Sequence, residues 1–203
     1  MPDQEKVLVL RTCAPDMSAY NGFKWKESGE VSASDWKPEA RCGNGLHGLL
    51  WGCGDGGLLN WDPAAKWLVV EVEAASVVEL DGKVKFPSGV VLFSGDRKGA
   101  TELVASRAPK ANLPIVGLAI TAGYGGTATA GYGGTATAGD SGTATAGERG
   151  TATAGERGTL QIKRYDPVAG RYRTVTGYTG EDGIEANVPY KLDQDGKLVR
   201  KVP

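Results

Sequence analysis

The centre of the chain reads AGYGGTATAGYGGTATAGDSGTATAGERGTATAGERGTLQ from residue 122 to residue 161. It contains five octapeptides, at 122–129, 130–137, 138–145, 146–153 and 154–161. The first four read Ala-Gly-x-x-Gly-Thr-Ala-Thr, and the fifth ends in Thr-Leu-Gln. A repeat of fixed length is typical of proteins that stack one structural unit on the next. This stretch therefore decides the fold of the middle of the chain.

The composition of the repeat excludes two elongated folds. Collagen needs Gly at every third residue together with Pro, and an α-helix disfavours Gly and Thr and needs an apolar stripe. A β-solenoid fits, because the side chains of Thr-Ala-Thr alternate between the two faces of a strand. We expect Thr to point outward and Ala to fill a narrow core. We also expect the Gly residues at the second and fifth positions to adopt positive φ at the corners.

Pairing two octapeptides in each coil predicts a flat grid of threonines on each side of the solenoid. One side would carry Thr127, Thr129, Thr143 and Thr145, and the other Thr135, Thr137, Thr151 and Thr153. Rows would lie about 4.8 Å apart, and the two Thr of a row about 6.6 Å apart. Thr is stiff at χ1, and its hydroxyl both donates and accepts, so such a grid suits an ordered layer of water. The alternative is a spacer in which Thr is simply an ordinary residue of exposed strands.

The residues before the repeat predict a compact α/β domain over 7–107. Strand patterns occur at 7–10, within 66–80 and at 89–95. A helix is predicted over 96–108, with Asp96 as its N-cap and one face made of Ala100, Leu103, Val104 and Arg107. The Gly-rich stretch 42–61 is interpreted as turns and short pieces.

The residues after the repeat alternate as short strands, with turn sequences at 166–170 and 193–196. They would cover the unpaired end of the solenoid. We therefore predict an α/β N-terminal domain, then a short β-solenoid with a small β-rich C-terminal cap. The predicted boundaries are 1–108 for the first domain, 109–121 for a linker and the start of the solenoid, 122–161 for the octapeptides and 162–203 for the cap.

The charge and the apolar pattern limit the partners and the location. A net charge of −1 argues against nucleic acid or an anionic membrane as a partner. The opening MPDQEKVLVLRT does not have the pattern of a secretory signal, and no apolar run reaches the ~18 residues of a membrane span. The odd number of three Cys indicates folding under reducing conditions.

Three other features of the first domain have functional alternatives. Cys42, His47 and Cys53 with Cys13 are chemically allowed as a Cys3His zinc site, but no Cys-x-x-Cys is present. His47 with Cys42 or Cys53 and Asp55 can be drawn as a nucleophilic site. We instead expect buried Cys with a packed His, no metal, no cofactor and no catalytic residue.

The five Trp lie in the first 70 residues and are expected to be mostly core, although an exposed subset would suit a lipid or glycan surface. They are Trp25, Trp36, Trp51, Trp61 and Trp67.

The octapeptide AGYGGTAT closely resembles that of bacterial ice nucleation proteins. Segments on both sides resemble the same family in the same order. Those resembling its N-terminal domain are VLVLRTCAPDM (7–17), GLHGLLWGCG (45–54), KWLVVEV (66–72), KVKFPSGVV (83–91) and GDRKGATELVASRA (95–108). The segment RYRTVTGYTGEDGIEANVPYKLDQDGKLV (171–199) resembles its C-terminal cap.

The resemblance implies a non-enzymatic protein whose Thr-x-Thr strands organise water and nucleate ice. It implies self-association and a place at the outer membrane or cell surface, while the absence of a visible leader leaves a cytoplasmic pool open. Family members carry dozens of repeats, so we expect a lone copy with five octapeptides to nucleate weakly.

The resemblance also implies assembly residues at the third and fourth positions of the octapeptide. In the family, Tyr forms a ladder and Arg-bearing coils support assembly. The corresponding residues are Tyr124, Tyr132, Arg149 and Arg157. Two rival functions stay open: a self-assembling structural module at the cell surface, and an enzyme built around Arg11 and His47.

Overall fold

The computed structural model describes residues 5–202, apart from the side chain of residue 21. Residues 1–4 of the predicted N-terminal domain and residue 203 of the predicted cap lie outside the described residues. Residues 1–4 also belong to the opening segment that lacks the pattern of a secretory signal. The chain divides into two compact units, and the boundary between them along the chain lies between Ala111 and Asn112. Within the described residues the regular structure is mostly β-strand, with one α-helix.

The first unit is built on a seven-stranded antiparallel sheet with the order β2-β7-β4-β1-β3-β6-β5. Its elements are β1 (Lys6–Cys13), β2 (Gly29–Ser32), β3 (Leu46–Leu50), β4 (Lys66–Glu73), β5 (Val78–Leu80), β6 (Lys83–Phe86), β7 (Ser88–Gly95) and α1 (Arg97–Arg107). The predicted strands at 7–10, 66–80 and 89–95 are present, the second as β4 and β5. The α/β expectation is only partly met, because the strands are antiparallel and the helix follows the last of them.

Helix α1 begins where the sequence predicts. The carboxylate of Asp96 accepts a hydrogen bond from the backbone N–H of Gly99 at 2.8 Å, as an N-cap does. The buried face differs slightly from the prediction, because Thr101 is buried beside Ala100 and Val104 whereas Arg107 is exposed.

Strand β3 lies in the Gly-rich stretch 42–61, which was interpreted as turns and short pieces, and is one of those short pieces. A Cβ on Gly48 would lie 2.4 Å from Cγ1 of Val9 and 2.7 Å from the carbonyl oxygen of Leu10. Gly is therefore required there, because β3 packs directly against β1. The same Gly interrupts the apolar pattern and hides the strand in the sequence.

The second unit contains two sheets. Its strands are β8 (Ala119–Ala122), β9 (Thr127–Ala130), β10 (Thr135–Ala138), β11 (Thr143–Ala146), β12 (Thr151–Ala154), β13 (Thr159–Asp166), β14 (Arg171–Tyr178), β15 (Tyr190–Leu192) and β16 (Leu198–Arg200). One sheet has the order β14-β13-β11-β9 and the other β16-β15-β12-β10-β8.

The repeat strands stack in parallel and in register. Successive octapeptides alternate between the two sheets, so that β9, β11 and β13 lie in one sheet and β10 and β12 in the other. Thr143 pairs with Thr127 on one side and Thr159 on the other, a spacing of two octapeptides. The eight alanines of β9 to β12 are at most 2 % exposed and form the core between the sheets. Alternation of inward Ala and outward Thr therefore holds through the repeat, in a solenoid-like arrangement.

The stack begins one octapeptide before the recognisable repeat. β8 pairs with β10, placing Ile120 beside Ala136 in the core. Gly117 has a positive φ of 76°. The equivalent corner residues later in the stack have positive φ angles of similar size. Residues 114–121 thus form a diverged octapeptide within the segment predicted as linker and start of the solenoid.

The positive φ angles do not lie at the positions that the sequence pattern predicts. They lie at the fourth position of each octapeptide, and not at the second or fifth, at Gly125, Gly133, Ser141, Arg149 and Arg157. At each corner the N–H of the fifth residue donates to the carbonyl of the second, 3.0 Å for Gly126 and Gly123. Positive φ at the third residue of such a four-residue turn is the pattern of a type II turn.

From the second octapeptide onward, the Gly residues at the second and fifth positions are required by the close approach of the preceding coil. A Cβ on Gly147 would lie 2.5 Å from the carbonyl carbon of Gly131. A Cβ on Gly142 would lie 2.7 Å from the carbonyl oxygen of Gly126. Backbone packed this tightly leaves no room for a side chain.

The C-terminal residues close the end of the stack with antiparallel strands. β14 pairs with β13 along its whole length, and β15 pairs with β12. The hydroxyl of Thr179 donates to the carbonyl of Gly155 at 2.9 Å and accepts from the N–H of Gly158 at 2.8 Å. The predicted turns at 166–170 and 193–196 connect β13 to β14 and β15 to β16. The cap thus satisfies backbone groups that the last coil leaves unpaired.

Candidate functional site

Strands β9, β11 and β13 bring predicted water-binding threonines together on one outer surface, which we name the β11 face. Thr127 lies beside Thr143, and Thr129 lies beside Thr145. Strands in a sheet are about 4.8 Å apart, and alternate residues of a strand are about 6.6 Å apart. The alanines of the same strands point into the core.

Strands β8, β10 and β12 form the opposite surface, the β10 face. Thr135 lies beside Thr151, and Thr137 beside Thr153. The two faces are not equivalent, because Thr151 is only 6 % exposed. It lies on β12, the strand that pairs with the cap strand β15. Thr151 was predicted to belong to the water-binding grid, but its burial leaves little of it for contact with water.

Three further residues continue the grid and were missed by the sequence analysis. Thr121 lies beside Thr137 on the β10 face. Thr159 and Gln161 extend the β11 face beside Thr143 and Thr145. The hydroxyl of Thr145 lies 3.0 Å from Oε1 of Gln161 and donates to it. Comparing each Thr of the repeat with the residue 16 positions before or after it, beyond both ends of the recognisable repeat, identifies these three residues.

The chemistry available on these faces is that of aligned hydroxyl and methyl groups. The side chains stand on a backbone fixed by parallel hydrogen bonds above and below each strand, such as the bond from the N–H of Thr143 to the carbonyl of Gly126 at 2.9 Å. β-Branched Thr adds little rotamer freedom. A rigid array of groups that both donate and accept can hold a layer of water molecules at fixed spacing.

The two predicted assembly tyrosines lie on opposite edges of the stack. Tyr124 is 78 % exposed and shares its edge with Asp140, as shown by the bond from the N–H of Gly125 to the Asp140 carbonyl. Tyr132 is half-buried, and its hydroxyl lies 3.1 Å from Nη1 of Arg149, which donates to it. The structure does not bring the two Tyr together.

The two predicted assembly arginines occupy corner positions with positive φ. Arg149 has φ of 59° and Arg157 has φ of 56°. Both are exposed. An L-residue in this conformation costs roughly 1 kcal/mol or more relative to Gly, and Gly occupies the same position in the first two octapeptides. Arg at these corners therefore has a conformational cost that Gly would not have.

In the first unit, the thiol of Cys42 lies beside the positively charged ammonium of Lys83. Its Sγ is 3.0 Å from Nζ of Lys83. The hydrogen bond from this ammonium lowers the pKa of the Cys42 thiol below its ordinary value. By contrast, burial raises the pKa of Cys53 and of Cys13.

His47 and Asp55, two of the residues considered for catalysis, contact nearby backbone groups. Nε2 of His47 accepts from the N–H of Gly43 at 3.4 Å, and the carboxylate of Asp55 accepts from the N–H of Gly57 at 2.8 Å. Across residues 5–202, no three His, Cys, Asp or Glu side chains are grouped so as to hold a metal ion.

Arg11, the other residue of the enzyme hypothesis, is held by packing. Its guanidinium donates to the carbonyls of Thr12 and His47 and lies 4.1 Å above the ring of Trp25. Burial lowers the pKa of Arg11 to about 10. The five Trp are buried or half-buried, which is the expected core role.

No helix in the described part of the chain is long and apolar enough to cross a membrane.

Comparison with known proteins gives matches to one named group. A family model described as a domain of unknown function (DUF7666) matches residues 7–105. An ice nucleation protein of Xanthomonas campestris pv. translucens is 42 % identical over 118 residues, which are 57 % of this chain and 7 % of that protein. No solved structure matches the chain.

Two further relatives agree with the first. An ice nucleation protein of Pseudomonas syringae is 42 % identical over 105 residues, 51 % of this chain and 9 % of the relative. The ice nucleation protein InaU of Pantoea ananas is 40 % identical over 103 residues, 50 % of this chain and 10 % of the relative. The chain spans a tenth or less of the length of these relatives. Across about half of its own residues the chain is thus similar to proteins that share one name, and these matches support its membership in the ice nucleation protein family.

Proposed function

We propose that the chain is a small ice-binding and ice-nucleating protein, in which a short β-solenoid presents threonines that order water into an ice-like layer. The observation that supports this most is the alignment of outward Thr on successive parallel strands over a core of Ala. Similarity to ice nucleation proteins supports the same function.

The size of the surface limits the expected activity. Three parallel rows span about 10 Å across the strands. An ice embryo has to exceed a critical size before it grows, so a patch of this area is expected to bind ice better than it nucleates it. Nucleation is expected to be weak and to increase with protein concentration.

Droplet freezing of the purified protein tests the proposal. Thr143→Lys with Thr145→Lys replaces the centre of the β11 face by long charged side chains. Ser32→Lys with Ser34→Lys adds the same charge at exposed positions of the first unit and is the matched control. We expect the wild type and the control to freeze warmer than buffer, and the Thr variant to freeze with buffer. Equal freezing of wild type and Thr variant would contradict the proposal.

The arginine corners support a second function, self-association through the edges of the stack. Arg149 and Arg157 hold an unfavourable backbone conformation and stay exposed, and residues kept in such a conformation are often retained for function. We propose that they bind a second copy of the chain, joining two Thr surfaces into a larger one.

Sedimentation over a range of concentrations tests the second function. Arg149→Gly with Arg157→Gly removes the guanidinium groups and places Gly where the backbone favours it. We expect weaker association with no loss of stability. Arg149→Lys with Arg157→Lys keeps the charge and shows whether the planar guanidinium is needed. A wild type that is monomeric at all concentrations, or a Gly variant that associates equally well, rules the second function out.

The location is proposed from family resemblance alone. We propose that the chain acts at the outer surface of the cell, where its Thr faces meet external water. Brief protease treatment of intact expressing cells tests this, because a surface protein is degraded while a cytoplasmic marker is spared.

A further inference from the structure

The cap strand β14 lies in the same sheet as the β11 face and in full register with β13. Residues directly opposite each other in an antiparallel pair point to the same side of the sheet. Thr176 is opposite Gln161, and Tyr178 is opposite Thr159. Because Gln161 is hydrogen-bonded to Thr145 on the β11 face, Thr176 and Tyr178 belong to that face as well.

The remaining outward residues of the hairpin follow the same register. Thr174 is opposite Lys163, and Tyr172 is opposite Tyr165. The rings of Tyr165 and Tyr172 form an edge-to-face pair with centroids 5.4 Å apart. All four residues Tyr172, Thr174, Thr176 and Tyr178 are exposed, Tyr178 to 51 %.

The packing of β14 against the core lies on its inner side. Gly177 is opposite the fully buried Leu160. A Cβ on Gly177 would lie 2.4 Å from Cδ1 of Ile184 and 2.5 Å from Cδ1 of Leu198. The side chains that close the core therefore occupy the inner side and leave the outer side of β14 open to solvent.

The β10 face has no such extension. Its cap strand β15 is three residues long and meets β12 through the single pair Ala152 and Tyr190. Tyr190 points into the core, and the next residue, Lys191, is exposed and charged. Ala119 takes the place of a Thr at the other end of this face, and Thr151 is buried. The β10 face is thus interrupted at both ends.

We propose that the β11 face is the surface that binds ordered water and ice, and that the outer side of β14 adds a fourth row to it. In that row Thr176 and Tyr178 continue the columns of Gln161 and Thr159, and Thr174 extends the row beyond the grid, opposite Lys163. The inference rests on the proposed function and says which face performs it. Four rows span about 14 Å across the strands, against about 10 Å for three. Tyr172 and Tyr178 mark the two ends of the fourth row, about 20 Å apart along the strand. The cap therefore both closes the core and enlarges the binding surface.

Uptake of the purified full chain into slowly growing ice tests the inference. The variant Thr174→Val with Thr176→Val removes two hydroxyls while keeping β-branched shape. Thr143→Val with Thr145→Val does the same in the proposed central row, and Thr121→Val with Thr137→Val does so on the β10 face. Circular dichroism checks that each variant is folded. We expect the bound fraction to fall about tenfold for the first two variants, the factor for loss of one to two polar contacts, and to stay unchanged for the third.

The outcomes separate the inference from the proposed function. If the central-row variant loses uptake and the cap variant does not, the function stands and the fourth row is ruled out. An equal loss in the β10-face variant overturns the choice of face. If the wild type is not taken up, the proposed function fails and the inference with it. If Tyr172→Ala with Tyr178→Ala abolishes binding to insoluble cellulose while uptake into ice depends on neither Thr174 nor Thr176, the outer side of β14 is a polysaccharide surface and the inference is wrong.

Discussion

At the scale of single residues, the octapeptide contains glycines with two different physical requirements. The fourth position needs positive φ, which Gly adopts without strain but which Ser141 and Arg149 also adopt at a cost. From the second octapeptide onward, the second and fifth positions need the absence of a side chain, because a Cβ there would lie 2.2–3.2 Å from the backbone of the preceding coil. Variation is therefore found at the fourth position, whereas the second and fifth keep Gly through all five octapeptides.

Gly147→Ala tests the requirement for close approach. The new Cβ would lie 2.5 Å from both the carbonyl carbon of Gly131 and the N of Tyr132, and overpacking of this kind costs about 1–3 kcal/mol. We expect the second unit to unfold at lower urea concentration, followed by circular dichroism.

The matched control for this change is Gly123→Ala, which has the same repeat position but no atom within 4 Å of the added Cβ. We expect it to be neutral or stabilising by about 0.5 kcal/mol. The fluorescence of the five Trp, all in the first unit, reports that unit separately. Equal destabilisation by the two substitutions would show that close approach is not the reason for Gly.

Cys42 is predicted to be the most reactive of the three thiols. The ammonium of Lys83 lowers the pKa of Cys42, so a larger fraction is thiolate at neutral pH, and the thiolate is the reacting form. We expect iodoacetamide to label Cys42 first, with a pH–rate curve displaced to lower pH than that of a free thiol.

Lys83→Met should move the pH–rate curve for labelling of Cys42 back to higher pH, because it removes the ammonium group. Cys53, whose pKa is raised by burial, serves as the internal reference in the same mass spectrum. Labelling of Cys53 ahead of Cys42, or no effect of Lys83→Met, would show that the pair does not persist in solution.

At the scale of elements, the cap ends the stack by two means. β14 and β15 pair with the last strand of each sheet, and Thr179 and Asn187 bind backbone groups of the last coil. Both devices occupy groups that would otherwise pair with another chain. The cap is therefore expected to keep the stack from associating end to end.

Thr179→Val tests the contribution of one cap residue. It removes the hydroxyl bonds to the carbonyl of Gly155 and the N–H of Gly158, which together are worth about 1–2 kcal/mol. We expect the urea midpoint of the second unit to fall accordingly.

A second Thr-to-Val change, Thr176→Val, gives the comparison for Thr179→Val. It is made on the exposed outer side of β14, where a surface change is usually within about 0.5 kcal/mol. A larger loss of stability from Thr176→Val than from Thr179→Val would mean that the hydrogen bonds of Thr179 to the last coil contribute little to stability.

At the scale of the whole molecule, the sequence predicts the repeat far better than its surroundings. The two-residue alternation of Thr and Ala fixes which side chains face the core. Two octapeptides in each coil, a spacing of 16 residues, then decide which Thr become neighbours. The first row, with Ala119 and Ile120, was missed because its sequence has diverged while its shape has not.

Long-range pairings were the part that the sequence did not reveal. Strand β3 was predicted only as a short piece because Gly48, which its contact with Val9 requires, breaks the apolar pattern. The fourth row was missed because Thr174 and Thr176 join the β11 face only through pairing with β13. A single sequence states which residues alternate within a strand, but not which strand lies beside it.

The molecule is small for the function proposed, and this gives the most direct test. Inserting one, two or four copies of residues 130–145, one full coil each, lengthens both Thr faces without changing the cap or the first unit. A parallel series carries Val in place of the inserted Thr. We predict that droplets freeze at a higher temperature with each added Thr coil and do not with added Val coils. Freezing temperatures independent of length, or equal in the two series, would contradict the claim that the Thr surface orders water into ice.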